Sequence, residues 1–226
     1  MKILALDTAL GACAACVYDS GTSDVLVTET LAMQRGHAEA LPALLARIRR
    51  QMPLGFESLE QVAVTVGPGS FTGIRVGIAA ARALGLALGV PVVGVSTLSA
   101  FAAPLLGDEA RSAVVAAIDA RHGQIYVMMI SAGGAMQVTP RLLKIEQAAL
   151  QLASGSLRIC GSGAALLTAA ARQRGLSCEI TGALDAPDIA YVARLGALAD
   201  SDHAPPDPLY LKSPDIALPR RGAVGP

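Results

Sequence analysis

An apolar strand that ends in aspartate, turns and reverses into a second apolar strand occurs twice in this chain. Ile3 to Asp7 is followed by Cys13 to Val17, and Val115 to Asp119 by Ile125 to Ile130. A repeated unit of this kind constrains the fold more than any single propensity, because each copy must build a sheet and bury one of its faces. Both copies then continue as strand, turn and helix. In the first, Val62 to Val66 runs into Gly67-Pro68-Gly69, Ser70 stands as an N-cap, and a helix extends to about Leu88 before Val92 to Val95 returns as a strand. In the second, Leu157 to Cys160 runs into Gly161-Ser162-Gly163 and a helix that reaches Arg174, with a further helix from Asp188 to Leu198. Strands alternating with crossover helices predict an α/β protein with two lobes, each a mixed sheet with flanking helices. The expected boundaries are an N-terminal lobe over 1–104, a C-terminal lobe over 105–212 and a disordered tail over 213–226.

Two helices of the first lobe carry an unusual amount of apolar surface. From His37, the residues Leu41, Leu44, Leu45, Ile48 and Met52 recur at helical spacing, and Pro42 fits only near the start of that helix. In the helix after Ser70, Gly73, Gly77, Ala81 and Gly85 recur every four residues and lay a nearly bare backbone stripe that another helix can approach closely. Ile74, Val76, Ile78, Leu84 and Leu86 leave the rest of it apolar almost all round, with Arg75 and Arg82 as its charges. Such a helix must be covered on every side, either by its own lobe or by a second protein chain. The two arginines and the break at Gly89-Val90-Pro91 argue against a membrane span.

Charge and composition narrow the function. The 18 basic residues are balanced by 18 acidic ones, so no net field draws the chain toward phosphate. With no tryptophan and 3% aromatics, bases find few stacking platforms, which argues against an independent nucleic-acid-binding module. The apolar run before Asp7 is too short for a signal-peptide core, so a cytoplasmic location is expected, where the four cysteines stay reduced. Cys13 and Cys16, three apart in a strand, face opposite ways and read as small core residues rather than as a zinc or disulfide pair.

Asp7 and Asp119, ending equivalent strands, are placed to hold a metal and nucleotide phosphates across a cleft, with Gly161 and Gly163 at an anion-binding turn. Against that, cradling an anion wants glycines beside the aspartates, and Asp7-Thr8-Ala9 and Asp119-Ala120-Arg121 supply none. The competing reading is that the aspartates cap hairpin turns and the glycines make a tight strand-to-helix turn. Gly67 to Arg75 lacks the Gly-Lys-Ser/Thr ending of a phosphate loop. His37-Ala38-Glu39 would begin a His-x-Glu-x-His metal motif, but position 41 is leucine, so His37 reads as a helix-start or interface residue. No catalytic residue and no metal set is expected.

Leu4 to Ala9, His37-Ala38-Glu39, Gly67-Pro-Gly-Ser-Phe-Thr-Gly-Ile-Arg-Val-Gly77, Asp119-Ala-Arg-His-Gly-Gln-Ile-Tyr126 and Pro208 to Lys212, in this order along nearly the whole chain, resemble the TsaB (YeaZ) family. The resemblance implies the actin-like, sugar-kinase and Hsp70 ATPase fold. It also implies a non-catalytic subunit that pairs with the catalytic paralogue TsaD, and associates with the ATPase TsaE, in forming threonylcarbamoyladenosine beside the anticodon of tRNAs that read codons starting with A. On this basis the pairing surface is assigned to His37, Leu41, Leu44, Leu45, Ile48, Gly73, Ile74, Gly77, Ile78 and Ala81, and Asp7, Asp119, Gly161 and Gly163 to a vestigial nucleotide cleft. Further implications are a homodimer when TsaD is absent, tRNA engaged only within the complex, no membrane partner, and no tightly bound cofactor, ATP or ADP acting at the level of the complex. A weakly active ATPase, kinase or peptidase of the same fold is the alternative. Replacing Gly77 by leucine is expected to block pairing while leaving the monomer folded.

Overall fold

The computed structural model describes residues 1–107, 112–182 and 184–212. The expected tail over 213–226 lies outside the described residues. The first lobe opens with the meander β1 (Lys2–Asp7), β2 (Ala12–Asp19) and β3 (Asp24–Ala32), continues through α1 (His37–Gln51), β4 (Gln61–Gly67) and α2 (Phe71–Leu88), and returns in β5 (Val92–Ser96) before the short α3 (Thr97–Ala102). The second lobe repeats this sequence of events as β6 (Ala113–Arg121), β7 (Gln124–Ile130), β8 (Met136–Lys144), α4 (Ile145–Gln151), β9 (Leu157–Cys160), α5 (Ala164–Gln173) and β10 (Cys178–Ile180), and α6 (Ile189–Leu198) follows.

The two sheets have the same topology. The orders are β3-β2-β1-β4-β5 and β8-β7-β6-β9-β10, with the first three strands antiparallel and the last two joined in parallel. Asp7 and Asp119 end the equivalent central strands β1 and β6, so the duplication read from sequence is a duplication of architecture. It is the arrangement expected of the actin-like fold.

Alternation along β1 explains the layers. Leu4 and Leu6 pack with Leu44, Ile48, Ile74 and Ile78 beneath α1 and α2, whereas Ile3 and Ala5 meet Ile189, Val192 and Ala193 of α6 on the opposite face. Cys13 and Cys16 fall into these two separate layers, and all four cysteines are free. In the second lobe, Val115 and Ala117 pack with α4 and α5, while Val114, Ala116 and Ile118 meet Leu98 and Phe101 of α3.

The assignment of all of 105–212 to the second lobe needs correction. α6 covers the back of the first sheet, where Gln61 donates to the Gly196 carbonyl at 2.8 Å. A strap beyond it keeps to the same lobe: Gly94 N–H donates to the Ala204 carbonyl, Leu209 N–H to the Val66 carbonyl, and Arg82 pairs with Asp207 at 2.6 Å. The second sheet is thus inserted between α3 and α6. Helix α2 is long and apolar enough, by length and composition, to span a membrane, yet its glycine side is seated on β4 and the β1–β2 turn as in a core helix.

Candidate functional site: the interlobe cleft and the outer helices

Asp7 sits where β1 breaks into its turn. Its Oδ1 accepts from Ala9 N–H at 3.0 Å and from the Thr65 hydroxyl at 2.5 Å, while Oδ2 is buried with no partner. Burial is the dominant influence and pushes this carboxyl above the ordinary carboxylate range, against the two hydrogen bonds and the nearby His37. Asp119 is half-buried instead; its Oδ1 accepts from Arg121 N–H at 2.8 Å, and Ser162 Oγ accepts from its N–H at 3.2 Å. Arg121 and His122 take positive φ in the tight turn that follows.

A recess of about 330 Å³ lies between the lobes, lined by Leu10, Ser70, Asp119, Arg121, Ser162 and Asp185 among others. Asp119 reaches it and Asp7 does not. Gly161 and Gly163 stand behind the wall as close-packing residues: a Cβ at Gly161 would strike the Ala117 carbonyl, and one at Gly163 would lie 2.7 Å from Ile125 Cδ1. Sequence reading chose the glycines, but the side chain between them, Ser162, is the one facing the recess. The four residues do not form a phosphate and metal cradle. Asp7 is sealed away, with burial raising its carboxyl, Asp119 carries Arg121 as an ion-pair partner at 3.7 Å, and no group of three or more metal-type ligands occurs among the described residues. A metal ion does not fit this set.

The broken metal motif has a structural explanation. His37 is buried at the first turn of α1, where Nε2–H donates to the Leu10 carbonyl at 3.0 Å. Leu41, at the position of the motif's second histidine, is 2% exposed and belongs to the core beneath α1. The histidine–carboxylate pair His203 with Asp200, at 2.7 Å, holds an exposed turn and does not line the interlobe recess. Burial pushes the thiols of Cys13 up to about 11 and of Cys16 and Cys160 up to about 12, which removes them as nucleophiles near neutral pH.

The residues assigned to the pairing surface lie mostly inside. Leu41, Leu44, Ile48, Gly73, Ile74, Gly77, Ile78 and Ala81 are all buried in the first lobe, with only Leu45 half-exposed and His37 at the margin. The glycine stripe receives no helix. At Gly73 and Gly77 its partner is the β1–β2 turn, where Thr8 Oγ1 donates to the Gly73 carbonyl at 2.7 Å, a Cβ on Gly73 would overlap the Thr8 carbonyl and one on Gly77 would sit 2.6 Å from Thr8 Oγ1, whereas Gly85 packs on Val92 of β5. What faces outward on α2 is another row, in which Phe71, Arg75, Ala79, Arg82, Ala83, Leu86 and Ala87 are exposed, Leu86 by 87%. On α1 the outward residues are Ala38, Glu39, Pro42 and Ala43 in the first half and Arg49, Arg50 and Gln51 at the end.

Comparison with known proteins agrees with this architecture. Residues 28–180 match the family model described as TsaD, tRNA N6-adenosine threonylcarbamoyltransferase. The chain is 35% identical over 126 residues to the tRNA threonylcarbamoyladenosine biosynthesis protein TsaB of Escherichia coli K12, covering 56% of this chain and 53% of that one. It is 34% identical over 130 residues to the Haemophilus influenzae protein of the same name, with 58% and 54% covered. The chain thus spans just over half the length of these curated relatives. Among solved structures, YeaZ from Pseudomonas aeruginosa superposes with a TM-score of 0.75 over 93% of this chain and 99% of that one at 24% identity, a likeness of fold. A model match across well over half of the chain, the named relatives and the shared two-lobed fold together show that the chain belongs to the TsaD-related family, in its TsaB (YeaZ) branch.

Proposed function

We propose that this chain is a non-catalytic subunit of a tRNA threonylcarbamoyladenosine-forming assembly, and that it acts by pairing with the catalytic TsaD paralogue. The observation that carries the reading is the outer row of α2, where Phe71, Ala79, Ala83, Leu86 and Ala87 leave a helix flank apolar and uncovered beside Arg75 and Arg82. The sealed Leu41 and the inward Asp7 support it from the other side, since at these positions neither a metal ligand nor a phosphate-facing carboxylate stands among the described residues. The threonylcarbamoyl group and the target adenosine are then handled by the partner, with TsaE and ATP or ADP acting at the level of the assembly. In the absence of the partner the same row closes a homodimer.

The test is reconstitution of threonylcarbamoyl transfer to tRNA with and without this chain, paired with a substitution on the outer row. Leu86→Arg is expected to leave thermal stability within about 0.5 kcal/mol, as surface changes usually do, and to abolish co-purification with TsaD. Full modification without the chain, or undiminished pairing by Leu86→Arg together with Ala83→Glu, overturns the reading.

A further inference from the structure

Helix α2 carries both of its arginines, Arg75 and Arg82, on the outer row that the proposed function gives to the partner, and the strap beyond α6 takes the heads of both. Arg82 Nη2 donates to Asp207 Oδ1 at 2.6 Å and to the Pro206 carbonyl at 3.0 Å. Arg75 Nε–H donates to the Tyr210 hydroxyl at 2.9 Å. Arg82 stands between Ala79, one turn before it, and Leu86, one turn after, so its head has the bare part of the row within reach on either side.

The strap does not need the Arg82–Asp207 pair to stay in place. Its backbone is anchored at two points, where Gly94 N–H donates to the Ala204 carbonyl at 2.9 Å and Leu209 N–H donates to the Val66 carbonyl at 2.8 Å. Gly94 permits the close approach, since a Cβ there would lie 2.7 Å from the Pro205 carbonyl. Between the anchors, Pro205, Pro206 and Pro208 fix the backbone φ. An ion pair whose side chains are 52% and 68% exposed adds little to a strap held in this way. What the pair decides is where the Arg82 head rests. A loose arginine lays its stem along apolar surface and carries its head across it. Once a partner covers the row, a head left there loses its water with no carboxylate to replace it.

We infer that the strap keeps the pairing row bare: Asp207 is a positioning residue that draws the Arg82 head off α2, so that Ala79, Ala83 and Leu86 are open to an apolar face of the partner. The inference rests on the proposed function and adds to the same surface a second element, remote from α2 in sequence. Contact between Asp207 and the partner is no part of it. A partner can also push a loose arginine aside, so the benefit from the strap is bounded by the strength of the pair itself.

The experiment is isothermal titration calorimetry of the full chain against purified TsaD, with wild type, Asp207→Ala, Arg82→Ala and the double variant. Asp207→Ala is expected to bind about fivefold more weakly, the ceiling that an exposed ion pair sets. Arg82→Ala is expected to bind no more weakly than wild type, and the double variant to match Arg82→Ala within about twofold, because without the arginine nothing remains to be drawn aside. A pair that merely holds the strap gives equal losses in all three variants, and an Asp207 that touches the partner gives the same loss with and without Arg82. Either pattern overturns the inference, as does an Asp207→Ala affinity within about twofold of wild type. The four proteins should also melt together, and a lower midpoint for both single variants returns the pair to a structural role. A wild-type chain that does not bind TsaD sinks the proposed function and this inference with it, whereas binding that is indifferent to Asp207 sinks the inference alone.

Discussion

At the scale of single residues, the structure turns several apparent site residues into structural ones, and each reassignment has a measurable sign. Burial raises the Asp7 carboxyl in the folded chain, so the folded state binds more protons than the unfolded one as pH rises past the ordinary aspartate value of 3.8. Its contribution therefore lowers stability as pH rises from that value through the raised folded one, and the loss stays constant above. Asp7→Asn keeps an Oδ1 acceptor for Ala9 and Thr65 and removes the ionisation. It should melt higher than wild type at pH 7, with the advantage shrinking to nothing in acid below the unfolded carboxylate range, as calorimetry across pH would read. A wild type that gains on the variant as pH rises would show Asp7 to be ionised and paired. Leu44 and Gly77 are a second case. Leu44→Ala should cost about 2–5 kcal/mol in denaturant unfolding because it empties a filled core. Gly77→Ala should cost about 1–3 kcal/mol because its methyl group enters the space of Thr8. Gly77→Leu is accordingly no clean probe of pairing, since it disturbs the fold first.

At the scale of elements, much of the architecture was legible because it is written locally. Short, nearly continuous apolar runs give β1, β2 and β4, buried on both faces, and Ser70 accepting from Gly73 N–H at 3.3 Å gives the start of α2. The bare stripe on α2 was equally visible, but which partner it admits was not, because a row of glycines records how close a neighbour comes and says nothing of its identity. Thr8, some 65 positions earlier in the chain, occupies that place. The destination of α6 was hidden for a related reason. Ile189, Val192 and Ala193 announce an apolar face, yet no residue in the helix states which of two similar sheets it covers. A recess at the lobe junction that gathers Phe71, Tyr126 and Tyr210 was missed in the same manner, since these rings are isolated in sequence and only tertiary contact brings them together.

At the scale of the whole molecule, the insertion of the second sheet between α3 and α6 governs what can be cut. A fragment of residues 1–104 retains β1–β5 but exposes Ile3, Ala5, Ala14, Cys16, Val93 and Val95, the layer that α6 covers. It should aggregate, as sedimentation or light scattering would show, and joining residues 186–212 to it through a flexible linker should restore a soluble, cooperatively melting lobe. A monomeric, cooperatively folding 1–104 fragment would contradict the layer assignment.

The same topology sets a timetable at the ribosome. Residues leave the tunnel in order at roughly 5–20 per second, so β1 through β5 emerge well before the helix that shields their rear face. For the interval in which the inserted sheet is made, that greasy face has no cover of its own. Holding it out of trouble falls to chaperones or to rapid synthesis, and a codon change that lengthens the wait should lower soluble yield without altering a single side chain.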